Sequence, residues 1–174
     1  KNLAKAEPSL AGFSLLLGLR PSDKPSGLSH HNVLFPKDYD QEFEDIFNRK
    51  VPVADPTIYI CAPKDKSMVK GENKEAWFVL VNTPRHDPKN GWDWSTNGEQ
   101  YAKQIINKLD NLGLNVSSRL DLMKFRTPLD LQEYAMAPGG SIYGTSSNSA
   151  SSAFLRASNR SKIKNLYCVG GSAH

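Results

Sequence analysis

The chain has 174 residues, 39% of them hydrophobic, and 22 lysines and arginines against 18 aspartates and glutamates leave a net charge of +4. That length supplies apolar side chains for one packed domain, or for one domain and part of another. The positive charges are dispersed among acidic residues rather than gathered on a helix face, which argues against a nucleic-acid partner.

In chain order, LAGFSLLLGL (Leu10 to Leu19) is the longest nearly apolar stretch. It falls well short of the roughly 20 residues a membrane-spanning helix needs. Arg20-Pro21 follows it without a small-residue cleavage pattern, so it is not read as a secretion signal, and an opening on Lys1 rather than Met suggests an excised segment. SLLLGLR, HHNVLFP, TIYICAP and EAWFVLVNTP are rich in Leu, Val, Ile and aromatics between Pro, Gly, Asp and Ser clusters, and are predicted as strands. In the first and fourth the apolar residues are continuous. Such strands are covered on both faces, or covered on one and lining a cavity on the other.

Between the second and third strands, DYDQEFEDIFNRK places Tyr39, Phe43, Ile46 and Phe47 on one helical face, with Asp38 or Asp40 as cap. KDKSMVKGENK (Lys64 to Lys74), interrupted by Asp65, Glu72 and Asn73 and carrying the Gly71 of a turn, reads as a solvated loop. A second helix spans NGEQYAKQIINKLDNLG, with Tyr101, Ile105, Leu109 and Leu112 on one stripe, a Thr96/Glu99 capping box and Gly113 just past its end. A further strand lies near RLDLMKF, and TPLDLQEY starts a short helix with Thr127 as cap, Pro128 at its first position and Asp130 in its first turn. The order predicts an α+β domain with a mixed or antiparallel sheet and two to three helices. After Ala137 the composition turns Gly- and Ser-rich, so the expected division is 1–137 as packed domain and 138–174 as connection and returning strand.

Chemistry-bearing motifs are sparse. PGGSIYG (Pro138 to Gly144) has glycines at the wrong spacing, and follows the wrong element, for a dinucleotide turn. The terminal GGSAH resembles a nucleophile elbow, but His174 replaces its last glycine, and the acid and histidine of that fold come later than the serine, where this sequence has nothing left. Cys61 and Cys168 are expected as buried thiols in a reducing cytosol. No metal site is expected, because His30 and His31 are sequence neighbours and on a strand would point to opposite faces. Asp55 and Asp93 read as turn residues, so no general base is nominated and the catalytic residues are left unassigned. Trp92 and Trp94 either clamp their loop or form an apolar rim for a bilayer.

LSHHNVLF, DPTIYICAP, WFVLVNTPRHDP, APGGSIYG and SSAFLRASNRSKIKNLYCVGGSAH, in that order, resemble the bacterial-type phytoene and diapophytoene desaturases, FAD-dependent carotenoid oxidoreductases. The resemblance runs from about Ser14 onward. It implies a two-domain parent in which residues 1 to about 137 are an accessory α+β domain roofing a tunnel for a long isoprenoid, and Leu166 to His174 re-enter the FAD domain. It implies FAD in the parent, with Gly170, Gly171 and Ser172, and secondarily Gly139 and Gly140, as the backbone near the cofactor. FAD is not expected to be held by this segment alone, which lacks a G-x-G-x-x-G turn.

A polyene has no polar handle, so its recognition rests on apolar burial, worth about 25 cal/mol per Å². Leu15, Leu17, Phe35, Trp77, Phe78 and Val79 are the expected walls of its site. The expected partners are a long apolar isoprenoid, the remaining FAD-domain segments and a membrane surface, in the cytoplasm or at the inner face of the cell membrane. A carrier that binds a polyene or lipid without redox chemistry is the alternative from another class, and a related flavoprotein such as an amine oxidase stays open at fold level.

Overall fold

A computed structural model describes residues 7–23, 26–69, 71–146 and 158–171. Its centre is a five-stranded sheet of β1 (Ala11–Leu19), β2 (His31–Leu34), β3 (Ile58–Cys61), β4 (Glu75–Thr83) and β5 (Leu120–Arg126), in the order β2-β3-β4-β1-β5. Every pairing is antiparallel, which settles the choice between a mixed and an antiparallel sheet. All five strands fall where the apolar runs predicted them. β1 and β4 form the spine, paired from Ala11↔Thr83 to Leu19↔Glu75.

One face of this sheet is the core. Phe13, Leu15, Leu17 and Leu19 of β1 alternate inward with Trp77, Val79 and Val81 of β4 and with Ile58 and Ile60 of β3. Against them lies α2 (Gly98–Asn111), which contributes Tyr101, Ala102, Ile105, Ile106 and Leu109 at helical spacing. Leu112, expected on that stripe, is exposed because the helix has ended: it is the C-cap, and Gly113 follows with φ +83. Phe13 anchors an aromatic cluster, edge-on to Tyr101 at 5.1 Å and stacked on Phe125 at 5.8 Å. Trp94 closes this cluster at 5.6 Å from Phe13, its indole N–H donating to the Pro84 carbonyl. Trp94 is therefore buried in the core and unavailable as a membrane rim.

The remaining helices are short. α1 (Tyr39–Phe43) is capped by Asp38, whose carboxylate accepts from the Gln41 N–H, and it continues as a π-turn over Glu44–Arg49. α3 (Val116–Arg119) is a single turn that the sequence pattern did not announce, since VSSR carries no apolar stripe. α4 (Pro128–Ala135) starts with the predicted cap: the Thr127 hydroxyl accepts from the Asp130 N–H, and Asp130 returns a bond to the Thr127 N–H. The corresponding box at Thr96/Glu99 does not form. The cap is Asn97, and Glu99 instead pairs with Lys103 at 2.7 Å.

Residues 7–11 and 141–146 run side by side, with Ser9 N–H on Gly144 O, Ile142 N–H on Leu10 O and Ser146 N–H on Glu7 O. The chain thus enters and leaves the sheet along one narrow ribbon. Among the described residues, the backbone hydrogen bonds of 158–171 run within that segment, as in Cys168 N–H to Asn159 O.

Candidate functional site

Among the described residues, the sheet's other face carries no helix along most of its length. Two rows cross all five strands in register: Val33, Tyr59, Leu80, Ser14 and Arg126, then His31, Cys61, Phe78, Leu16 and Lys124. A shorter row of Ala76, Gly18 and Leu122 follows. Among their apolar members Val33 is 50%, Phe78 37%, Leu16 48% and Leu122 54% exposed, while Leu80 is half-buried. On β1 this face is built from Gly12, Ser14, Leu16 and Gly18, so small residues flank one protruding side chain, Leu16. A Cβ at Gly18 would stand 3.2 Å from the Leu122 Cβ, and one at Gly12 would stand 3.1 Å from Leu80 Cδ1. Side chains of the neighbouring strands already close on both glycines, and Gly12 is buried beneath Leu80 and Ile142.

Polar groups frame this face. At the β2 edge, His31 Nδ1 and the Tyr59 hydroxyl are 2.8 Å apart. Partial desolvation, reinforced by the Cys61 sulfur, holds the Tyr59 phenol above its ordinary range and therefore protonated at neutral pH. At the β5 edge stand Lys124 and Arg126, the latter's guanidinium lying over the Tyr134 ring. At the end marked by Asn82, α1 closes the face: buried Glu42 accepts from Asn82 Nδ2 at 3.1 Å and from the Thr57 N–H at 2.6 Å. Glu42 is a buried carboxylate that sequence reasoning missed. It stands off the Tyr39/Phe43/Ile46/Phe47 face, and only the folded contact of α1 with Thr57 and Asn82 desolvates it.

The predicted wall residues fall on both sides of the sheet. Leu15, Leu17, Trp77 and Val79 point into the core beneath α2, where they serve packing. Phe78 lies on the open face beside Leu16, and Phe35 is exposed just beyond β2, its ring edge-on to Tyr39 at 5.7 Å. Leu16, Leu80, Tyr59 and Leu122 are open-face residues that sequence reasoning did not nominate. In a continuous apolar run the parity is not readable, and only register assigns it.

Gly139 and Gly140 adopt positive φ and are buried against the domain. A Cβ on Gly140 would meet the Pro128 carbonyl oxygen at 2.0 Å, and one on Gly139 would meet Arg85 Cβ at 2.9 Å. Their Cβ sides face protein. Gly170 and Gly171 are the opposite case, exposed and with nothing within 4 Å of an added Cβ. Ser172 and His174 lie outside the described residues.

Other expectations resolve differently. Asp55 accepts from the Lys37 N–H and pairs with Lys108, which holds its carboxyl below the ordinary value of 3.8. Asp93 caps the Ser95 N–H, which likewise lowers it. Both act as turn residues, as expected. Cys61 is half-buried on the open face and Cys168 is exposed, so neither is the buried thiol expected. The opposite-faces rule for His30 and His31 also fails. His30 precedes β2 and is free of strand alternation, and its ring lies 4.5 Å from that of His31.

No protein-family model matches the chain. Among curated proteins, it is 35% identical over 173 residues to a 1-hydroxycarotenoid 3,4-desaturase of Flavobacterium sp., covering 98% of this chain and 34% of that protein. It is 32% identical to a zeta-carotene-forming phytoene desaturase of Myxococcus xanthus, covering 99% of the chain and 33% of the relative. It is 31% identical to a 4,4'-diapophytoene desaturase of Staphylococcus aureus, covering 99% and 35%. The chain spans about a third of the length of these relatives. Along nearly all of its own length, the chain is a homologue of the carotenoid desaturases.

Proposed function

We propose that this chain is the substrate-covering part of an FAD-dependent carotenoid desaturase, and that the open face of the sheet is the wall against which a long isoprenoid such as phytoene or diapophytoene lies. The observation that supports this most directly is a partly exposed apolar strip on the open face, Phe78, Leu16, Leu80 and Leu122, in a chain homologous to enzymes named for carotenoid desaturation. Those relatives are named as enzymes, which weighs against a carrier without chemistry.

On this reading Phe78, with Leu16, Leu80 and Leu122, contacts the polyene, while Leu15, Leu17, Trp77 and Val79 stiffen the sheet from behind. With Gly12, Ser14 and Gly18 presenting little or no side chain, the central strand offers an extended, conjugated chain a low surface from which only Leu16 rises. Each 100 Å² of polyene surface covered contributes about 2.5 kcal/mol of binding. Orientation follows from the polar frame, since the charged β5 edge and the His31/Tyr59 pair leave the middle as the path of lowest desolvation cost.

FAD, when bound by the parent, supplies the hydride acceptor. Gly170 and Gly171 fit an approach to a flat ring, because a Cβ on either would meet nothing within 4 Å among the described residues. Their exposed neighbours Leu166, Tyr167 and Val169 offer apolar surface that the remaining FAD-domain segments would cover. Among the described residues no helix is long and apolar enough to cross a membrane. The substrate dissolves in bilayers, so we place the parent in the cytoplasm with peripheral contact to the inner face of the membrane, where exposed Phe35 and Tyr39 offer aromatic surface.

Expression of the full-length protein in cells that accumulate phytoene or its C30 analogue tests the reading. Pigment absorbing in the visible is expected. Colourless cells containing soluble, flavin-loaded protein would overturn it.

A further inference from the structure

We propose that His30, His31 and Cys61 form a binding site for a zinc-class divalent ion at the β2 edge of the sheet. Each brings one ligand atom, two imidazole nitrogens and a thiol sulfur, to within 4.8 Å of the others. Around a tetrahedral zinc ion with bonds of about 2.0–2.3 Å, neighbouring ligand atoms stand about 3.3–3.6 Å apart. Side-chain rotations of roughly 1 Å therefore close the site without backbone movement. The donor set selects the ion: a soft thiolate with two imidazoles suits zinc, cobalt or copper and disfavours magnesium and calcium. Three protein ligands leave a fourth position for water or a ligand atom.

The backbone holds this convergence in place. His31 and Cys61 are register partners on adjacent strands, so their side chains rise together on the open face. His30 is folded back by a bracket around Asn32, whose Oδ1 accepts from the Ser29 N–H and whose Nδ2 donates to Ser29 O, both at 2.8 Å. The Ala62 N–H donates to His30 O at 2.8 Å and extends the β2/β3 pairing to that residue. Beyond the ligands, the Tyr59 hydroxyl is 2.8 Å from His31 Nδ1, the outer contact that fixes a ligating imidazole and leaves its Nε2 free for the metal. An ion here would tie the four-residue edge strand β2 to β3 and cap the row that continues through Phe78 and Leu16. The site does not depend on the polyene reading, since it is built only from the edge of the sheet.

The test uses the full-length protein stripped with a chelator and then loaded. Dialysis against Zn²⁺ is expected to leave a single tightly held ion per chain and to raise the melting temperature. Co²⁺ in its place is expected to give d–d bands of tetrahedral intensity and a thiolate-to-cobalt charge-transfer band. Cys61→Ser should abolish the charge-transfer band, His30→Gln should weaken Zn²⁺ binding at least tenfold, and Cys168→Ser should change neither. A folded native protein without the charge-transfer band would overturn the proposal. So would Zn²⁺ affinity unchanged in His30→Gln, which rests on an exposed side chain and keeps the test decisive if Cys61→Ser does not fold.

Discussion

Gly140 has φ +71, and a methyl group there would collide with the backbone of Pro128. Gly140→Ala combines left-handed strain with a clash that no side-chain rotation relieves, and is expected to destabilise by roughly 2–4 kcal/mol in denaturant unfolding. Gly171, with open space around it, should tolerate alanine without loss of stability in this chain. The two glycine pairs look alike in sequence and are separated only by what surrounds them. Charge is similarly local. The Lys108 partner and the Lys37 N–H hold the Asp55 carboxyl below 3.8, so the ionised form is favoured in the folded state. Its contribution is present above the unfolded value and is lost as pH falls through the lower folded value. Asp55→Asn should therefore lower stability near neutrality, with the deficit shrinking below about pH 4, and pH-resolved thermal unfolding of both forms checks it. The effect is small, because Asp55 is half exposed.

Caps and strands were legible to different degrees. Thr127 is followed by a proline and an aspartate at the right offsets, and the box forms as the spacing predicts. Thr127→Ala should cost about 1 kcal/mol through the lost cap. Thr96 and Glu99 have similar spacing, yet a tertiary contact overrides them. At Gly98 a Cβ would stand 2.7 Å from Thr127 and 2.8 Å from Phe125, so the helix starts where it can seat against β5. All five strands were readable from apolar runs bounded by turn residues. Their facing was not. LLL in β1 is apolar on both sides, so Leu15 and Leu16 are indistinguishable until the pairing with Val79 and Phe78 and the docking of α2 give one to the core and one to the open face. Leu15→Ala should accordingly cost about 2–5 kcal/mol of stability. Leu16→Ala should cost under about 1 kcal/mol, because its exposed side chain leaves no cavity.

At the scale of the whole molecule, the chain uses one side of a sheet to fold and leaves a partly exposed apolar strip on the other. An exposed apolar surface that is contiguous normally marks a binding site. The α+β class and the relation to carotenoid desaturases were carried by the order of short stretches from LSHHNVLF to LYCVGGSAH. The convergence of His30 and His31 with Cys61 was not, because it depends on a turn outside the strand. The most direct measurement is the yield of coloured carotenoid from cells that make the colourless polyene and express the full-length protein with Leu16→Asp and Phe78→Asp together. If the open face lines the substrate path, flavin content and folding stay as in the parent protein while conversion falls at least about tenfold, a binding loss of about 1.4 kcal/mol or more. Undiminished conversion by the doubly charged variant would contradict it.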